Sequence, residues 1–447
     1  MTDLFTHQIE DARFLAERKF AGNFSGMGSG KTLTACEAFR LTDTTLGVII
    51  CPPIARTMWK RVFEAHTGFS AQIVATGRAP LDDTADVYIM SYEIATKRKD
   101  ELRTLLANPL RTSVLICDES HALKSTKAKR TKAILGRGGV CEGADHTWCL
   151  TGTPVTRWND DIFPFMVRAA NGALKDKIGK IDMEHFNLRY CVVQKRQFPG
   201  ARFPTKLTVG NRNTEELNEM LFAGGLAVRR ELADVWAEMP PLTTTRLTVQ
   251  LETTPELKAL LKELEEKTQK QIEQGMARND ESLSRTRRLL GMAKVKHSAS
   301  EIIDRVEAGS KPILVGAWHT DVIDALKARL IEKGVTVAVI DGRTSSTMRD
   351  CYQDDFNAGR LDVLIGQIAA MGVAIDLNKG GNQIVVVEED WSPAMMDQFY
   401  ARIRRIGFEG DHVHVDIFAS DTKLDDAVHR IAVRKAGGHD TIMEQRK

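Results

Sequence analysis

The string Ser25-Gly26-Met27-Gly28-Ser29-Gly30-Lys31-Thr32 sets glycines, a lysine and a hydroxyl at phosphate-binding spacing. Gly28 and Gly30, flanking Ser29, let backbone N–H groups close around a phosphate chain. Lys31 supplies positive charge, and the Thr32 hydroxyl can ligate Mg²⁺. The stretch Leu33 to Arg40 is helix-like, so a helix N-terminus would face the same phosphates. The strict pattern wants glycine at position 25, where this chain has serine. Asp118 and Glu119 directly follow the apolar run Val114–Cys117. That places both carboxylates at a strand's C-terminal edge, where open α/β sheets bind ligands. Asp118 can hold Mg²⁺, and Glu119 can orient and deprotonate a water. Alone the pair also fits a plain acidic turn; beside a phosphate cradle it fits nucleotide hydrolysis. Arg402 and Arg405 stand three apart on a predicted helix, so both point from one face. That spacing fits a solvated basic face as well as an arginine finger, a group worth about 10³–10⁵ in rate.

These groups need elements to hold them. Within residues 1–165, short apolar runs alternate with helical patterns. Leu46–Cys51, Asp86–Met90, Ser113–Cys117 and Thr147–Leu150 read as strands covered on both faces. The same grammar returns after residue 300, at Lys311–Gly316, Val335–Ile340, Leu361–Ile365, Gln383–Val387 and Val413–Ile417. Right-handed crossovers then give two doubly wound parallel sheets, an α/β fold. Residues 166–295 read as helical insertion and linker between lobes at 1–165 and 296–447. Within it, 196–213 reads as a loop and 255–290 as a long surface helix.

Composition bounds the rest. The chain has 447 residues, 43% hydrophobic and 27% charged, as a globular protein of two to three domains would. A net charge of +2 excludes bulk basicity, so any nucleic-acid surface must be local. Seven scattered cysteines look like reduced thiols rather than a disulfide framework. No segment is apolar enough to span a bilayer, and the N-terminus has no signal-peptide core. A cytoplasmic protein is expected, without membrane contact.

Taken together the motifs resemble the Swi/Snf-type ATPases of helicase superfamily two, nearly end to end. Phe5-Thr6-His7-Gln8 is similar to the family's adenine-reading glutamine segment, ending at Gln8. Ile50-Cys51-Pro52-Pro53 with Trp59 resembles its motif Ia, and Met90-Ser91-Tyr92-Glu93 its Ser-Tyr-Glu segment. Leu150-Thr151-Gly152-Thr153-Pro154 and Ile340-Asp341-Gly342-Arg343-Thr344-Ser345 resemble two further motifs. So do Trp391-Ser392-Pro393 and Gln398-x-x-x-Arg402-x-x-Arg405-Ile406-Gly407. Arg229-Arg230, Asp234-Val235 and Pro240-Pro241 match a signature that plain helicases lack. Asp118-Glu119-Ser120-His121 looks closest to the annealing-helicase branch, and the short chain to phage or bacterial members. Departures stand at Ser25-Gly26, where the family has an acidic pair, at Ala374 in the segment Gly372 to Leu377, and at Phe408.

The resemblance implies two RecA-like lobes with ATP and Mg²⁺ bound between them. Gly372 and Asp376 would join the cofactor set, and His121, Thr151, Gly152, Thr153 and Gln398 would couple hydrolysis to movement. Duplex or branched DNA would be gripped through its backbone by Pro52, Thr76, Ser91, Tyr92, Gly342, Thr344 and Ser345. Lys124 and Lys127, in a basic cluster, could line a phosphate track or simply be solvated. The expected function is a monomeric double-stranded DNA translocase that remodels or anneals DNA. The alternatives are an RNA-acting helicase, the motor of a defence or restriction complex, and a degenerate clamp that does not hydrolyse ATP.

Overall fold

A computed structural model of the chain describes residues 4–197, 203–236, 239–267, 271–272, 281–371, 375–405 and 407–443. The chain divides into two compact units, residues 1–237 with 437–447 and residues 238–436. Among the described residues no helix is long and apolar enough to cross a membrane.

In the first unit the strands are β1 (Phe20–Asn23), β2 (Leu46–Ile50), β3 (Ala71–Ile73), β4 (Val87–Met90), β5 (Ser113–Asp118), β6 (His146–Leu150), β7 (Cys191–Arg196), β8 (Thr205–Asn211) and β9 (Ala227–Val228). Seven of them form one parallel sheet in the order β3-β4-β2-β5-β6-β1-β9. Every residue of β2 and β4 is buried, as a parallel strand with helices on both faces requires. Trp59 and Trp148 are wholly buried in this unit. The helix Lys31–Leu41 follows β1, and β5 ends at Asp118. The remaining pair, β7 and β8, is an antiparallel hairpin.

The second unit carries β10 (Leu242–Thr248), β11 (Ile313–Ala317), β12 (Val337–Ile340), β13 (Val363–Gln367), β14 (Gln383–Val386) and β15 (Val413–Ala419). They form a parallel sheet in the order β10-β15-β14-β11-β13-β12. One face packs around Leu364, Ile384 and Phe399, the other around Val315, Leu326 and Ile365. A Cβ at Gly316 would lie 2.8 Å from the Phe399 ring, so glycine there lets the helix Pro393–Tyr400 approach the sheet.

The stretch 166–295 is shared between the units. β9 completes the first sheet, and β10 forms the edge of the second. Within 196–213, expected as a loop, Thr205–Asn211 is strand, because it finds a partner in β7. Within 255–290, described helix spans Pro255–Glu265 and then Glu281–Glu307. The helix Pro393–Tyr400 stops short of Arg402 and Arg405, which lie in the turns after it. The Arg402 carbonyl accepts from the Leu377 amide at 2.8 Å, which draws the chain out of helical register.

Candidate functional site

The loop after β1 turns sharply into a helix. Gly28 and Gly30 take φ of +79° and +82°, a left-handed backbone that favours glycine. A Cβ on Gly30 would also lie 2.0 Å from Gln8 Nε2. The Gln8 amide and the His7 ring both approach the Ser29 carbonyl, at 3.3 and 3.1 Å. The Ser29 hydroxyl is buried with no hydrogen-bond partner among the described residues. Lys31 Nζ donates to the carbonyls of Ser25 and Gly26 at 2.8 and 2.9 Å. Thr32 lies half-buried in the first turn of the helix.

Asp118 and Glu119 stand at the end of β5, two strands from β1 in the sheet. Trp59 Nε1 donates to Asp118 Oδ2 at 2.7 Å, and the Glu119 amide donates to Oδ1 at 3.0 Å. Burial and the neighbouring Glu119 charge push the Asp118 carboxyl up to about 7, against the Trp59 hydrogen bond and the Lys31 charge. Lys31 and Asp118 therefore act on each other electrostatically across the site. Glu119 has φ +49°, so its side chain leaves the strand line. Its Oε2 lies 3.1 Å from His121 Nδ1, which is 3.1 Å from Thr151 Oγ1. Thr151 also accepts from the Thr153 amide at 3.1 Å. Gly152 faces the phosphate loop; a Cβ there would meet Met27 Cε at 2.6 Å.

In the second unit, Arg402 donates to the carbonyls of Gln398 and Ile375 at 3.0 and 3.3 Å. Arg405 pairs with Asp376. Gln398 is buried, and Asp376 is exposed. The structure thus gathers Asp376, Gln398, Arg402 and Arg405. Gly372 lies outside the described residues.

The expected DNA-facing residues separate into two groups. Thr76, Lys127, Gly342 and Ser345 are exposed, and Pro52 and Thr344 are half-buried. Ser91 and Tyr92 are instead buried at 4% and 3% exposure, and their polar groups are used internally. Ser91 caps the helix Tyr92–Lys97, while the Tyr92 hydroxyl donates to the Asp118 carbonyl at 2.7 Å. Lys124 donates to the Thr156 hydroxyl at 2.5 Å. Tyr92 thereby holds the strand end at Asp118, while Ser91 and Lys124 spend their polar atoms on a helix cap and on Thr156.

Two positions gain importance that their sequence context had concealed. Trp59 holds the Asp118 carboxylate, although its motif lies 59 residues earlier. Asp11 is 1% exposed and pairs with Arg230 at 3.0 Å. The available signal for Asp11 was its spacing of three from Gln8 on one helix face.

Comparison with known proteins gives a consistent picture. The SNF2-related domain family matches residues 7–298, and the helicase conserved C-terminal domain matches residues 293–407. The "SWI/SNF-related matrix-associated actin-dependent regulator of chromatin subfamily A-like protein 1 homolog" of Caenorhabditis elegans is 28% identical over 446 residues, which is 97% of this chain and 61% of that protein. The "DNA annealing helicase and endonuclease ZRANB3" of Homo sapiens is 25% identical over 81% of this chain and 32% of its own length. The chain therefore spans less than two thirds of these relatives. A solved structure of S. cerevisiae Dbp5 bound to RNA and ADP BeF3 shares the fold, with a TM-score of 0.54 at 12% identity, over 98% of this chain and 88% of that one.

Proposed function

The chain belongs to the SNF2-related domain family, and from that premise we propose that it is an ATP-dependent translocase of double-stranded DNA that remodels or anneals DNA. The observation that carries the ATPase reading is the loop Gly28–Thr32 after β1, with the Asp118–Glu119 strand end two strands away in the same parallel sheet. The site suits a nucleoside triphosphate. Backbone amides at a helix N-terminus, a lysine and the unpartnered Ser29 hydroxyl all offer donors to phosphate oxygens. Thr32 and Asp118 offer the hard oxygen ligands that Mg²⁺ prefers. When bound, Mg²⁺ would neutralise phosphate charge.

The protein's own groups would divide the work. Gln8 would read adenine, and Lys31 would hold the phosphates. Glu119 would take the proton of the attacking water, with His121 sharing its carboxylate. Thr151, Gly152, Thr153 and Gln398 would carry the change in phosphate contacts onward. Arg402 and Arg405 are the candidates for stabilising the charge of phosphoryl transfer. Pro52, Thr76, Lys127, Gly342, Thr344 and Ser345 would hold DNA phosphates without reading bases. The printed name of the ZRANB3 relative, a DNA annealing helicase, supports DNA as the track. A cytoplasmic monomer in a bacterial or phage-infected cell completes the reading.

The test is steady-state ATP hydrolysis with no nucleic acid, duplex DNA, forked DNA, single-stranded DNA or RNA, beside Glu119→Gln. Stimulation by duplex or forked DNA, lost in the variant, is expected. Stimulation by RNA alone, or no hydrolysis under any condition, would overturn the reading.

A further inference from the structure

The Arg229-Arg230 pair lies 205 residues from the phosphate loop in sequence and beside it in space. β9 runs parallel to β1, and its ladder continues past the strand ends into the loop. The amides of Gly22, Phe24 and Gly26 donate in turn to the carbonyls of Leu226, Val228 and Arg230, at 3.0, 2.8 and 2.8 Å. Side chains reinforce the ladder. Arg229, only 7% exposed, donates to the Phe24 carbonyl at 2.9 Å. The Arg230 amide donates to Ser25 Oγ at 3.1 Å, and Ser25 Oγ reaches Asp11 Oδ2 at 3.5 Å. Arg230 Nε closes the circuit on Asp11 Oδ1 at 3.0 Å.

Two arginines in a DNA motor invite a reading as phosphate contacts. Their hydrogen bonds point elsewhere. A buried carboxylate such as Asp11 is costly unless paired, and the pairing here fixes a serine that opens the phosphate loop. Asp11 lies on the same helix as Gln8, which holds the far end of that loop through the Ser29 carbonyl.

We infer that Arg230 and Asp11 are positioning residues of the nucleotide site, setting the start of the phosphate loop through Ser25, with Arg229 anchoring Phe24. The inference rests on the nucleotide-binding reading. It also gives Ser25 a role: its hydroxyl receives the brace. Because the brace acts before phosphate arrives, its loss weakens nucleotide binding more than the chemical step.

The experiment measures ADP affinity, duplex DNA affinity, KM and kcat for ATP, and thermal stability in the full chain. Arg230→Ala is expected to weaken ADP binding and raise KM about tenfold or more, by analogy with the loss on removing groups that orient metal ligands, with kcat changed less. Adding Asp11→Asn to Arg230→Ala should recover part of the affinity by removing the orphaned charge, so the two effects should not add. Arg18→Ala is the stability control. It breaks the 3.0 Å bond to the Gly225 carbonyl at the other end of the same segment, and should lower the melting temperature while leaving ADP affinity unchanged. An Arg230→Ala protein that is folded, binds ADP like wild type and instead loses DNA affinity with a shallower salt dependence would overturn the inference. If wild type itself binds no ADP, the nucleotide reading fails with it; if wild type binds and the variant binds equally, the brace alone fails.

Discussion

Glu119 holds φ at +49°, a left-handed conformation that costs an ordinary side chain about 1–2 kcal/mol. The turn is what takes its carboxylate off the β5 line toward His121, 3.1 Å away. Strain of this kind collects at functional positions because the surroundings over-determine it. Replacement should therefore separate stability from activity. Glu119→Gly should be more stable than Glu119→Ala by about 1 kcal/mol, since only glycine relaxes at that φ, while both lose hydrolysis. Urea unfolding of the two variants checks this, and equal midpoints would show that the residue is not strained. The direct phosphate and water candidates were legible in sequence because glycine, lysine and paired carboxylates carry their chemistry in their types. Their supports were not. Trp59 is marked in sequence only by its place in a motif, and nothing local says that its indole reaches a carboxylate 59 residues later. The same limit explains Ser91 and Tyr92. Hydroxyls near a strand end suit a phosphate equally well, until the fold shows that they are already bonded inside.

Element-level legibility followed burial. The strands beneath the site, β2, β4, β5 and β6, are continuous apolar runs and stand out from the helices around them. β10 does not. Its sequence Leu-Thr-Thr-Thr-Arg-Leu-Thr is largely exposed and belongs to an edge. β9 spans two residues, too few for any periodic signal. The long helix Glu281–Glu307 shows what such patterns omit. It is pinned by Lys294, 3% exposed, whose ammonium donates to the Phe418 carbonyl at 3.1 Å and to Asp425 at 3.3 Å. Burial pushes the Asp425 carboxyl up, but the Lys294 charge and the Ser420 hydroxyl and amide together hold it below its ordinary value. A depressed carboxyl contributes stability that is present above its unfolded pKa, about 3.9, and that is lost as pH falls through the folded value. Asp425→Asn should therefore destabilise the second unit at neutral pH by about 3–5 kcal/mol, since it leaves a buried ammonium unpaired. The difference from wild type should shrink below about pH 4. Acid and urea unfolding of both proteins would check it; a pH-independent difference would remove the pair from the account.

At the scale of the molecule, two sheets with separate cores argue for two cooperative transitions rather than one. The residues proposed to cradle the phosphates and hold their Mg²⁺, Gly28 to Thr32 and Asp118, belong to the first unit. A ligand stabilises what it binds by an amount set by its concentration over its dissociation constant, about 2.7 kcal/mol at a hundredfold excess. ADP with Mg²⁺ should thus raise the unfolding free energy of the first unit by that amount. Tryptophans make the units separable, with Trp59, Trp148, Trp158 and Trp236 in the first and Trp318 and Trp391 in the second. In a Trp318→Phe/Trp391→Phe protein the fluorescence transition reports the first unit, and it should shift with ADP. Hydrogen exchange would supply the complementary view, with protection rising over residues 26–41 and 113–121 and the amides of β11, β13 and β14 unchanged. Equal protection of both sheets by ADP alone would mean that nucleotide engages the second unit without DNA. The charge on Arg402 and Arg405 would then be recruited by nucleotide itself, and DNA would act after ATP binding rather than complete the site.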